Sequence, residues 1–160
     1  MFDLVSDDVV DVGTIRANWP KYIGYNKSNA KVELYYDDKK KEGAKNKKTS
    51  FFYGKTALDI FLMAMALGKD IGSISPIPKG GKANNLPTSS LTDATMWAMI
   101  SVALSEEDTD LDTLTDGKKI YEICEGYANT GILPLITLDE TGEIGNYQSQ
   151  FEDKFKKYIE

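Results

Sequence analysis

Few side chains in this sequence are equipped for chemistry. There is no histidine and only one cysteine, Cys124. Ser-His-Asp and Cys-His nucleophile arrangements are therefore excluded, and one Cys can build neither an internal disulfide nor a structural zinc site. Carboxylates, lysines and tyrosines remain. Lys39, Lys40, Lys41, Lys45, Lys47 and Lys48 crowd one short stretch, broken by Gly43 and Asn46. Such a cluster can grip a phosphate backbone through counterion release, and the adjoining Phe51, Phe52 and Tyr53 are candidates to stack on bases. The competing reading is a solvated lysine loop beside core aromatics.

Two other stretches resemble chemical motifs and fail them. Pro78-Lys-Gly-Gly-Lys82 suggests a phosphate loop, but G-x-x-x-x-G-K-S/T needs glycine where Pro76 stands and Ser or Thr where Ala83 stands. It reads as a turn-rich connector, with Lys79 and Lys82 available for anions. Asp108, Asp110 and Asp112 alternate as in a calcium loop, yet Thr113 replaces the turn glycine and Lys119 the bidentate glutamate. No metal site and no cofactor is expected, and no pair of carboxylates stands out from surface charge, so an enzyme such as a hydrolase is the least favoured class.

The element that must position everything else is Thr56–Gly68, in which every residue from Ala57 to Leu67 except Asp59 is apolar. A helix without a polar face belongs inside a core. Thr56 and Asp59 fit a capping box, which gives the one charge in the run a structural task, and Gly68 is placed as the residue that ends the helix. A second apolar helix spans Leu91–Leu104, with the same cap spacing at Ser90 and Asp93. Ala57, Ala64, Ala66, Ala94, Ala98 and Ala103 suit close approach of the two, with Met63, Met65, Met96, Met99 and Trp97 filling the space around them. Ile120, Ile123, Cys124 and Tyr127 mark an amphipathic helix over 118–129 that ends at Gly131 and makes Cys124 a small core hydrophobe. Ile132–Leu138 reads either as a helix entered at Pro134 or as a strand. The alternation of Val32, Leu34 and Tyr36 in Ala30–Tyr36 predicts a short strand, 71–88 reads as loop, and Tyr147–Ile159 reads as a closing amphipathic helix.

The expected fold is therefore mainly α: a compact helical domain around two apolar helices, at about 56–67 and 91–104, with a short strand or hairpin near 31–36. Residues 1–50 form an extension carrying the strand and the lysine-rich loop, and 51–160 the helical domain, in one structural unit overall. Nothing approaches a membrane span, and the N-terminus lacks a signal-peptide pattern, which favours the cytoplasm. The net charge of −6 is uneven. Residues 1–82 carry 14 Lys/Arg against 10 Asp/Glu, a net of +4, and residues 83–160 carry 5 against 15, a net of −10. Such asymmetry points to a nucleic-acid or acidic surface on one side, or simply to solubility.

In order, FFYGKTALDIFLMAMALGKDIG, a loop with PIP, LTDATMWAMISVALSEEDTDLDTL and KKIYEICEGYANTGI resemble the type-four Dnd-associated proteins, small accessory proteins encoded beside DNA-phosphorothioation genes. The matching positions are Phe52, Lys55, Thr56, Asp59, Ala64 and Gly68, then Tyr127, Ala128, Asn129 and Gly131, over about residues 51–138. The chain departs from the pattern at Thr130, which interrupts the usual glycine pair, at Gly126, which stands near the expected acidic residue, and in a basic segment thinned to Lys69 and Lys79. The resemblance implies a non-catalytic accessory role in modification-dependent antiviral defence, with larger restriction or transfer proteins as partners. The lysine loop, read from its residues, would add duplex DNA as a second contact. The resemblance supplies no catalytic residue. The alternative is an acidic protein-binding adaptor, or a viral mimic of DNA that inhibits a DNA-processing enzyme.

Overall fold

The computed structural model describes residues 19–37, 50–106 and 117–144. The described elements are β1 (Tyr22–Asn26), α1 (Ala30–Tyr36), α2 (Ala57–Ile71), β2 (Lys82–Pro87), a short 3-10 turn (Thr88–Ser90), α3 (Asp93–Leu104) and α4 (Gly117–Glu140). The fold is mainly α, and the described residues include a two-stranded antiparallel sheet, β1 against β2, whose strands are separated in sequence by α1 and α2. The lysine cluster, the Asp108–Asp112 alternation and the expected helix at Tyr147–Ile159 lie outside the described residues.

The capping box of α2 forms as its residues dictate. The Asp59 amide donates to Thr56 Oγ1 at 3.1 Å, and the Thr56 amide donates to Asp59 Oδ2 at 2.9 Å. Two of the four orphan amides of a helix start are thereby satisfied. Gly68 does not end the helix. The chain continues to Ile71 and stops at Gly72, which is left-handed (φ 88°) and whose amide bonds the Gly68 carbonyl. Glycine at this C-terminal position adopts that backbone without strain.

Gly68 is instead a crossing point. A methyl group on it would come within 1.8 Å of the Tyr127 carbonyl oxygen, and one on Gly131 within 1.9 Å of the Ala64 carbonyl oxygen. α2 and α4 thus touch backbone to backbone, with glycine contributed by both. This corrects the expected arrangement of the core. The helices at 56–67 and 91–104 are both interior, but α2 packs chiefly on α4, and α3 lies against α4 as well. Met65, Met96 and Met99 are fully buried core fillers, as expected, and Ala64, Ala98 and Ala103 are wholly enclosed.

α4 is longer than the sequence pattern suggests. It runs through Gly131 and Pro134 to Glu140, which resolves Ile132–Leu138 as helix. Proline removes one helix hydrogen bond and crowds the preceding turn. Pro134 and its neighbour Leu133 are on the exposed face, while Ile132, Leu135 and Ile136 are buried, so the proline ring lies on the side of the helix that meets water.

The expected strand at 31–36 is a helix. Asn29 caps it by accepting from the amides of Lys31 and Val32, and the residues it buries are Val32 and Tyr36. Those two are four apart, a spacing shared by one helix face and by alternate strand positions, and the Asn29 cap decides between them. The actual sheet flanks this helix in sequence. β2 occupies part of the expected 71–88 loop, and its register against β1 pairs Ile23 with Leu86 and Gly24 with Asn84, leaving a bulge between them. The cap of α3 also differs: Thr92, not Ser90, accepts from the Thr95 amide at 3.1 Å.

Candidate functional site

Of the positions that carry the resemblance, Ala64, Gly68, Tyr127 and Gly131 meet at the α2–α4 crossing, while Phe52, Thr56, Asp59 and Asn129 have separate tasks in packing and capping. Phe52 is fully buried, edge-on to Tyr35 and Phe51. Thr56 and Asp59 are spent on the cap. Gly68 and Gly131 make the α2–α4 crossing together with Ala64. Tyr127 is buried, with the Lys69 ammonium 5.2 Å from its ring centroid and 3.5 Å from its hydroxyl. Asn129 Nδ2 donates to the Ser75 carbonyl at 2.9 Å, Thr130 Oγ1 meets Ser75 Oγ at 2.9 Å, and the Ser75 amide donates to the Gly126 carbonyl at 3.1 Å. The segment following α2 is thereby strapped along α4. Gly126 leaves room for this, since a methyl group there would meet Ile74 at 2.3 Å. Cys124 is fully buried and its thiol donates to the Met99 carbonyl at 3.3 Å. Burial pushes that thiol well above its usual range, so it is a core residue and not a nucleophile.

The polar centre that sequence reading missed is Glu125. It is the buried charged side chain of the described core, 4 % exposed, on the α4 face that also carries Tyr121, Ala128 and Ile132. Lys82 Nζ reaches Oε1 at 2.7 Å, and the Gly24 amide, at the β-bulge, donates to Oε2. A side chain on Gly24 would collide with the Lys82 stem, within 2.1 Å of its Cε. Glycine at 24 is therefore what lets Lys82 lie across the sheet to the carboxylate. Lys82, suggested above as an anion contact, is engaged with a carboxylate, and both oxygens of Glu125 are occupied. The signal was available: Glu125 continues a helical stripe of otherwise apolar residues, and Lys82 lies in the connector read as loop.

Burial raises the Glu125 pKa above the usual carboxylate value, opposed by the Lys82 and Gly24 hydrogen bonds. A carboxyl whose folded pKa is raised takes up protons more readily folded than unfolded. Its contribution is fullest below the unperturbed glutamate value, about 4.3, and falls as pH rises through the raised folded value. Urea melts of the wild type and Glu125→Gln across pH 4–8 should show the wild type losing ground to the variant as pH rises. A gap constant with pH would refute this.

A second carboxylate, Asp139 near the C-terminal end of α4, accepts from the Tyr35 hydroxyl at 2.6 Å, Ser50 Oγ at 2.8 Å and the Phe51 amide at 2.9 Å. Burial, followed by the hydrogen bond to Asp139, raises the Tyr35 hydroxyl pKa well above normal, which keeps it a donor. Asp139 thus fixes both flanks of the lysine-rich stretch to one helix end. Lys31 and Glu140 add a 3.2 Å ion pair beside it, largely exposed, of the kind that contributes little by itself.

Among the described residues, no group of three His, Cys, Asp or Glu side chains is placed to hold a metal ion, and no helix is long and apolar enough to cross a membrane. Comparison of the chain with protein-family models, curated proteins and solved structures gave no match.

Proposed function

We propose that this protein is a non-catalytic accessory protein of a DNA-modification-dependent defence system of the phosphorothioation type, working in the cytoplasm through a larger protein partner and through duplex DNA. The observation that carries the reading is the Asp139 clasp. It ties Tyr35 on one side and Ser50 and Phe51 on the other to α4, so the described residues on both sides of the six-lysine stretch share one anchor. Two further points support a binding role over a catalytic one. The family-pattern residues Phe52, Thr56, Asp59, Gly68, Tyr127, Asn129 and Gly131 serve capping and packing, and the buried Glu125 has both oxygens engaged.

The test is binding to duplex DNA, plain and phosphorothioated, across a salt series. Wild type is compared with a variant in which Lys39, Lys40, Lys41, Lys45, Lys47 and Lys48 are each changed to Gln. Wild-type affinity should fall with a log–log slope of about −0.9 per phosphate contacted, and the variant should lose most of that salt-dependent binding. Absence of wild-type binding at low salt would overturn the DNA contact. Stimulation of a co-purifying restriction enzyme supports the accessory role. Its inhibition would favour the acidic-adaptor or DNA-mimic reading, which the net of −10 over residues 83–160 favours.

A further inference from the structure

The three aromatics that follow the lysine stretch are not equivalent. Phe52 is fully buried. Phe51 packs edge-on against Phe52 at 5.4 Å and carries the Lys55 ammonium 4.9 Å from its ring centroid. Tyr53 is 51 % exposed and enters none of the aromatic pairs among the described residues.

The backbone on both sides of Tyr53 is hydrogen-bonded into a turn. Its amide donates to the Ser50 carbonyl at 3.2 Å, and the Lys55 amide donates to the Phe52 carbonyl at 2.9 Å. Gly54 is left-handed, with φ 77°, and a methyl group built on it meets no described atom within 4 Å. The tip therefore stands clear of the described fold. Asp139 anchors its start through Ser50 and Phe51, and the Thr56–Asp59 capping box anchors its end. An aromatic ring on a pre-ordered turn loses little conformational freedom on binding, and a lysine two residues away supplies charge. That combination is what base stacking beside a phosphate backbone requires.

We infer that Tyr53 is a stacking platform for an unpaired base, so that the DNA this protein prefers is a duplex carrying a single-stranded end. The inference rests on the DNA-binding reading above and specifies its ligand. Bases within an intact duplex are stacked on each other and offer no face to Tyr53, whereas a single-stranded overhang does.

The test compares a blunt duplex with the same duplex bearing a thymidine overhang, at one fixed low salt. Wild type should bind the overhang DNA about tenfold more tightly, within the range that one stacked base supplies. Tyr53→Ala should bind both at the blunt-duplex level, and Tyr53→Phe, which keeps the ring, should retain the preference. The six-lysine variant should weaken on both DNAs in parallel. Equal wild-type affinities, or an undiminished preference in Tyr53→Ala, would overturn the inference and leave the lysine reading standing. No binding of either DNA by wild type would overturn both.

Discussion

Gly131→Ala should destabilise the protein by about 3 kcal/mol or more, although alanine is the better helix former. In an exposed helix the same exchange gains up to about 1 kcal/mol from propensity. At Gly131 the new methyl group would meet the Ala64 carbonyl oxygen at 1.9 Å and the Gly68 nitrogen at 2.6 Å. These are backbone atoms of a neighbouring helix, so relief requires α2 and α4 to move apart. That separation loosens the surrounding core at Phe61, Met65, Tyr127 and Ile132, and overpacking of this kind typically costs 1–3 kcal/mol and sometimes more. Gly68→Ala should behave alike, because its methyl group would meet the Tyr127 carbonyl from the other side. For a chain of this size a 3 kcal/mol loss lowers the melting temperature by roughly 6–12 °C. Thermal and urea melts of the two variants check it. A neutral or stabilising result at either position would mean that the two helices do not meet at these glycines.

Ala64→Asp should be at least as damaging, for a different reason. Ala64 is wholly enclosed and its carbonyl is the atom closest to Gly131. An aspartate there must ionise without a cationic partner or take up a proton at a cost, in addition to overfilling the crossing. An uncompensated buried charge is worth about 3–5 kcal/mol of destabilisation, a large part of the total stability of an ordinary domain. The variant should fail to give a cooperative melt, or should do so only at acid pH, where the carboxyl is neutral. Ala64→Ser, almost isosteric, separates size from polarity and should lose only about 1–2 kcal/mol. A well-folded Ala64→Asp at neutral pH would place this face of α2 against solvent.

How much of this was legible beforehand depends on the range of the interaction. The Thr56–Asp59 cap is local, with its determinants three residues apart, and reads directly from sequence. So does the burial of Cys124, because Ile120, Ile123 and Tyr127 repeat on its helix face. The helix at Ala30–Tyr36 was not legible from apolar spacing, since Val32 and Tyr36 satisfy both periods. β2 was not legible either: Lys-Ala-Asn-Asn-Leu-Pro has little strand propensity, and it is held as a strand by β1 and by the reach of Lys82 to Glu125. The α2–α4 crossing depends on Gly68 and Gly131, whose partnership is set by tertiary contact. Read alone, Gly68 looks like a helix stop, and only the approach of α4 shows that its missing side chain is needed for contact. Of the candidate site, the lysine cluster was visible as composition. The Asp139 clasp that anchors it, and the difference between Phe51, Phe52 and Tyr53, depend on residues distant in sequence.

The clasp has a bearing on how this protein can change over evolutionary time. Because Tyr35, Ser50 and Phe51 meet at one carboxylate, the described residues that bracket positions 38–49 are held together by the fold itself. The entropic cost of closing a loop grows only with the logarithm of its length, about 0.6 kcal/mol for each doubling. Lengthening, shortening or rewriting the intervening residues therefore perturbs the helical core little. Selection is free to tune the number and spacing of lysines there, while the glycines of the α2–α4 crossing allow almost no substitution.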